Sequence, residues 1–218
     1  MVDTKLTPEQ IQTLKGHGED FKNWISSDNG RKDMQDHKEH ERYFKEKLSP
    51  ENLNNMTEGE FSEIWKKSWA SNMWSNKERH VKDKIIAPNG IEKIRQGLNL
   101  LLYGSEDFVR RYDKFRENVA RFGVATISEF LNVIFPDKFC LWNDKPRTVL
   151  PFLRLDGLPD NLYRYNTATG DQYLRCIGYL DLIKSELSEF GIKDFIDLDA
   201  KCRSSLVLAK TDLATRTP

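Results

Sequence analysis

Apolar residues recur along most of this chain at three- and four-residue intervals, the repeat that lays them on one face of an α-helix. Ile11, Leu14, Phe21, Trp24 and Ile25 share such a face. Thr7-Pro8-Glu9-Gln10 ahead of them reads as a capping box with proline at the first helical position. Ser27-Asp28-Asn29-Gly30 reads as a turn. Arg31 to Leu48 alternates charge sign and reads as a solvated helix, with Met34, Tyr43, Phe44 and Leu48 as its thin apolar side. Ser49-Pro50 starts a short helical turn, and Thr57-Glu58-Gly59-Glu60 is a second capping box. Phe61, Ile64, Trp65, Trp69 and Met73 follow it with helical spacing.

The second half carries the same repeat. Lys77 to Gly90 lacks it and reads as a loop broken at Pro88-Asn89-Gly90. Helices are predicted over Ile91 to Tyr103, after a Ser105 cap through Phe108, Tyr112, Phe115 and Val119, and over Thr126 to Phe135 up to Pro136. Gly123 reads as a helix C-cap. Further helices are predicted at Lys145 to Leu153, Asp171 to Phe190 and Leu198 to Leu208, with a loop over Asp156 to Gly170. No segment alternates with period two and β-branched enrichment, so the fold class is all-α, a multi-helix globular fold. A composition change near residue 90 divides it into a charged, tryptophan-rich lobe over 1–90 and a more apolar lobe over 91–208, with a frayed tail over 209–218.

Charge changes this picture by what it excludes. Lys and Arg number 34 and so do Asp and Glu, so no bulk field draws the whole molecule onto a polyanion. Any nucleic-acid contact has to be a local patch. Five Trp and twelve Phe supply a core that the modest 38% hydrophobic content alone would leave thin. The three cysteines, Cys140, Cys176 and Cys202, form no CxxC pair and no disulfide framework. With no signal-like apolar start and no run of membrane-spanning length, the expectation is a soluble cytoplasmic protein with no membrane partner.

Two neighbouring features carry candidate chemistry. Gly123-Val124-Ala125-Thr126-Ile127-Ser128 has the outline of a helix–hairpin–helix turn. Such a turn needs a glycine free to take positive φ, and it offers backbone N–H groups at a helix start to a phosphate. Gly123, Thr126 and Ser128 are the candidate contacts, although Ala125 stands where the second hairpin glycine would be. The competing reading is an ordinary cap between two core helices. Trp142-Asn143-Asp144-Lys145-Pro146-Arg147 is a polar knuckle. There Trp142 could stack a base, Asn143 read one, and Lys145 and Arg147 neutralise phosphate. The alternative is a polar loop with Trp142 buried and Asn143 capping the next helix. A hairpin-type DNA glycosylase places a catalytic Asp after its hairpin. Asp144 stands in a comparable outline, but its spacing to Arg147 is short and no lysine nucleophile lies beside Gly123.

Other features are weaker. Trp65, Lys66, Lys67, Trp69 and Trp74 interleave aromatic and basic residues; core packing accounts for Trp65 and Trp69, and Trp74 is the one expected at the surface. Trp74, Lys77 and Arg79 then make a secondary basic rim, extended by Asn76 and His80. His37 and His40 are three apart on the charged helix, where a solvated face is favoured over a metal site. Cys140, between Phe139 and Leu141, reads as a core thiol. No phosphate loop, GxSxG or nucleotide fingerprint occurs, and no metal or cofactor is implied.

The runs WASNMW (69–74), KIRQGLNLLLYG (93–104), ISEFLNVIFPDKFCLWNDKPRTVLPFL (127–153) and FIDLDA (195–200) resemble a poorly characterised family of prokaryotic helical proteins and domains. Some of these are similar to regions fused to modification-dependent restriction ATPases and other anti-phage nucleases. The resemblance implies a prokaryotic or viral recognition subunit acting on DNA, modified or damaged DNA included, in restriction, defence or repair. It also implies a nuclease or ATPase partner subunit, because no motor or nuclease motif is visible in this chain. The leading expectation is therefore a non-enzymatic DNA-binding module. The alternatives are a DNA glycosylase-like base-excision enzyme using Asp144, and a protein-interaction scaffold using the charged helix over Arg31 to Leu48.

Overall fold

Residues 5–152 and 168–200 are described in the computed structural model of the chain. Among them all regular structure is helical, and no strand occurs. The helices are α1 (Pro8–Ile25), α2 (Asp28–Lys47), α3 (Pro50–Asn55), α4 (Glu58–Lys67), α5 (Lys77–His80), α6 (Ala87–Asn89), α7 (Ile91–Tyr103), α8 (Phe108–Asn118), α9 (Val124–Ile134), α10 (Asp144–Phe152) and α11 (Gly170–Glu186). Short 3₁₀ turns occupy Trp69–Met73 and Ser188–Phe190, and Val81–Ile86 is a π-helical segment.

The starts of these helices follow from short-range chemistry. Thr7 accepts a hydrogen bond from the Gln10 amide at 3.2 Å while Gln10 accepts from the Thr7 amide at 2.7 Å. Thr57 and Glu60 reproduce that reciprocal pair. A third box, Thr169 with Gln172, opens α11 and was not expected from sequence. Ser27 does not begin a free turn. It caps α2 by accepting from the Gly30 amide, and Gly30 itself lies so close that a Cβ there would sit 2.0 Å from the Trp24 carbonyl oxygen.

Helix α9 is the centre of the packing. Nine of its eleven residues are buried, as a helix apolar nearly all round requires. Helix α2 and the Trp69–Met73 turn pack against it. Helix α7 lies on α3 and α8, α8 on α11, and α1 on both α2 and α11. Ring contacts such as Phe44–Phe130 at 5.7 Å and Phe115–Phe122 at 5.2 Å tie these elements together. Each fully buried side chain of this kind is worth roughly 1.5–3 kcal/mol relative to exposure. The buried residues form one core reaching from Leu14 to Ala200, so the composition change near residue 90 is not mirrored by a gap in the interior.

Several sequence expectations are corrected. Lys77 to Asn89 is helical, with the expected break at Gly90, φ 71°: Val81, Ile85 and Ile86 are all buried, and a wide π turn brings residues five apart onto one face. Asp107 rather than Ser105 caps α8, because its carboxylate accepts from the Arg110 amide at 3.1 Å. Met73 leaves the α4 face and is 77% exposed, since the extended backbone of Ser68 breaks the phase of the helix. Gly123 does not end α8. Val119 does, the chain reverses through Arg121 at φ 71°, and Gly123 at φ −76° is the N-cap of α9. The positive dihedral assigned to Gly123 thus falls on Arg121. The loop predicted over Asp156 to Gly170 lies outside the described residues as far as 167 and gives way to α11 at Gly170, while the end of the helix predicted over Leu198 to Leu208, Cys202, the tail over 209–218 and residues 1–4 also lie outside them.

Candidate functional site

The end of the Gly123 turn meets the start of the knuckle through Ser128 and Trp142, and both are buried, while Gly123 itself is exposed. Ser128 on α9 accepts a hydrogen bond from the Trp142 amide at 2.8 Å, and its hydroxyl donates to the Ala125 carbonyl at 3.1 Å. Ser128 is 0% exposed, Trp142 1% and Thr126 6%. These three cannot meet a phosphate or a base in this fold. Val124 and Thr126 at the start of α9 are buried, and a Cβ on Gly123 would meet only open space, so no close approach requires the glycine.

The polar residues of the knuckle are committed to partners within the fold. The Asn143 side chain accepts from the Lys145 amide at 2.9 Å, which is a capping role at the start of α10. Lys145 Nζ pairs with Asp199 Oδ2 at 2.6 Å, with side chains only 18% and 4% exposed. Arg147 donates to the Asn143 carbonyl at 3.0 Å and pairs with Asp144 at 2.9 Å. The Asp144 side chain is 97% exposed rather than enclosed, so it does not present the shielded acid that a flipped base would enter beside. Each cation of the knuckle therefore already faces an acid.

The secondary rim has the opposite character. Trp74 follows the Trp69–Met73 turn and is 41% exposed. Its indole stacks on His80, with ring centroids 3.7 Å apart and planes 15° from parallel. His80 in turn lies 6.3 Å from the buried Trp65, which meets Phe122 edge-on at 5.2 Å. A file of four rings thus runs from the core to the surface and seats the outermost indole. Trp74, Ser75, Asn76, Arg79, His80, Asp83 and Lys84 line an open depression of about 290 Å³. Asn76 caps α5 by accepting from the Arg79 amide at 2.9 Å, which turns Arg79 to the lip. The Arg79 side chain is 80% exposed and pairs with Asp83 at 3.3 Å, whereas Lys84 makes no ion pair among the described residues. Burial, and then the Lys84 charge, hold the His80 imidazole below its ordinary value of 6.5, so it stacks as a neutral ring at neutral pH. Lys77, expected in this rim, instead donates to the Lys66 carbonyl at 3.0 Å and to Asn72 at 2.6 Å.

A polar cluster that sequence reasoning missed holds this surface in place. Glu129 on α9 is 1% exposed. Its carboxylate accepts from the Trp69 amide at 2.7 Å and the Ala70 amide at 2.9 Å, and one oxygen lies 2.9 Å from His40 Nε2. His40 stacks on Trp69 with centroids 3.9 Å apart, and His37, 2% exposed, packs against the same indole at 4.6 Å. The two histidines expected on a solvated face are therefore interior groups. Among the described residues no set of three or more His, Cys, Asp or Glu side chains could hold a metal. Cys140 and Cys176 are buried thiols, and burial pushes the Cys176 thiol up to about 12. The charged α2 satisfies much of its charge within itself, through Asp28–Arg31 and Glu41–Lys45. No helix among the described residues is long and apolar enough to cross a membrane.

Comparison of the chain with protein-family models, with curated proteins and with solved structures returns no match. The functional reading rests on the geometry just described.

Proposed function

We propose that the chain is a non-enzymatic DNA-binding module whose contact surface is the Trp74–His80 shelf, with Arg79 and Lys84 at its edge. One observation carries this reading. An indole is held at the surface by a neutral ring beneath it, with the Arg79 and Lys84 side chains beside it, whereas the cations of the Trp142 bend are paired with Asp199 and Asp144. Between residues 66 and 84 the chain carries six Lys or Arg and two acids, against an exact balance overall. Of these, Arg79 and Lys84 line the depression and form the local patch a neutral protein needs to meet a polyanion. The adjoining π-helical segment adds support, because such wide turns are frequent at functional sites. The resemblance to restriction-associated domains agrees with DNA as the ligand and with a separate nuclease or ATPase subunit as partner.

The test is fluorescence anisotropy with labelled DNA across a salt titration. Affinity is expected to fall as salt rises, and the Arg79→Gln, Lys84→Gln double variant is expected to flatten that slope. Trp74→Ala should cost about 1–3 kcal/mol of binding, the worth of one stacked base. Binding that is insensitive to salt and to these substitutions would remove the proposal.

A further inference from the structure

We infer that the shelf takes the face of an unpaired base, so that its ligand is single-stranded DNA rather than an intact duplex. This rests on the nucleic-acid reading above and narrows it to a substrate class. Base faces within a duplex are covered by their neighbours, and an indole reaches one only when the base has left the stack. Trp74 is 41% exposed, and His80 already covers one face of its ring. The exposed side is therefore fit to receive one more ring in the same file.

The charges agree with this choice. A duplex is held by many phosphate contacts spread over both strands. The depression offers two cations, Arg79 and Lys84, and Arg79 shares its charge with Asp83. His80 is neutral at pH 7 and adds none. Two cations suit the phosphates flanking a single splayed nucleotide, and stacking then supplies the main share of the affinity. The Asp83 carboxylate, half exposed beside the indole, can accept from an exocyclic amino group of the seated base.

The experiment compares an oligonucleotide of about twelve nucleotides with its duplex, on the full chain at one low salt concentration. Labelled-DNA anisotropy and intrinsic tryptophan emission are read together, for the wild type, Trp74→Phe and Trp74→Ala. Circular dichroism confirms that each variant keeps its helical content. The single strand is expected to bind roughly tenfold or more tighter than the duplex and to quench the emission. Trp74→Ala should erase that preference, and Trp74→Phe should retain part of it. Equal or tighter duplex binding overturns the inference and leaves the interface standing. A single-strand affinity that ignores Trp74→Ala overturns the inference and the shelf as the interface together. Failure of both DNA forms to bind overturns the interface itself, and the inference with it.

Discussion

The bend from Trp142 to Arg147 and the segment from Trp69 to Lys84 are built from the same materials, tryptophan, asparagine, lysine and arginine, yet one is interior and the other is surface. At the bend, Trp142 follows Phe139, Cys140 and Leu141, all buried, and drops into a slot beside α9. Its cations find Asp199 and Asp144. Around Trp74 the neighbours Asn72, Ser75 and Asn76 are exposed, and the ring has only His80 to lie on. Basic and aromatic composition therefore does not mark a binding surface. What separates the two regions is burial: Trp142 is 1% exposed and Trp74 41%, and the Lys145 pair is enclosed where the Arg79 pair lies at the surface.

The contrast is broken most severely at Glu129, which anchors the second region. Glu129→Ala strands two partly buried amides and removes the partner of His40. A loss of about 3–5 kcal/mol of folding stability is expected, the scale for breaking a buried charged network. Urea denaturation monitored by tryptophan emission reads it, and a loss below about 1 kcal/mol would show that the cluster is not holding the turn. Lys145→Ala comes next. It leaves the Asp199 carboxylate buried without its partner and should cost about 3 kcal/mol, yet shift DNA affinity by less than twofold. The reverse result, weakened binding with intact stability, would return the interface to the bend.

The effect of pH is smaller and bears on the shelf alone. The His80 imidazole is depressed in the fold, chiefly by burial and then by Lys84, so protonation favours the unfolded chain. Its contribution to stability is whole above the ordinary value of 6.5 and is lost as pH falls through the lower folded value. Thermal midpoints of wild type and His80→Gln, compared at neutral and mildly acidic pH, should show the wild type losing more on acidification. Equal losses would mean that His80 is not the titrating group. Least of all is expected at Gly123. Serine has open space there and can accept from the start of α9, where no side chain caps now. Gly123→Ser should stabilise by a few tenths of a kcal/mol, and a destabilisation beyond about 1 kcal/mol would show that the glycine is needed.

How far the molecule can be read from its sequence depends on the span of each interaction. The caps at Thr7 and Thr57 and the stripe through Tyr112 and Phe115 are set by residues three or four apart, and all of them are present. The exposure of Trp74 was legible for the same reason, since it stands outside the stripe of α4. The pairing of Glu129 with Trp69 and Ala70 spans about sixty residues, and that of Lys145 with Asp199 more than fifty. Neither partner can be named from local pattern. One signal was nonetheless available: Glu129 is the single charged residue in a helix apolar on nearly every side, and a charge so placed has to be buried against donors. The same argument would have moved His40 from the solvated face to the interior.

The π-helical turn over Val81–Ile86 makes the orientation of the shelf a matter of phase. Each residue of an α-helix advances the chain by about 100° around its axis. A segment wound one residue wider than its neighbours shifts everything on one side relative to the other by about that angle. His80, just ahead of it, and Ile85 and Ile86, within it, are thereby allowed to serve different masters, one the surface indole and the others the core. Removing a single residue from this stretch would restore the common winding and set those two allegiances against each other.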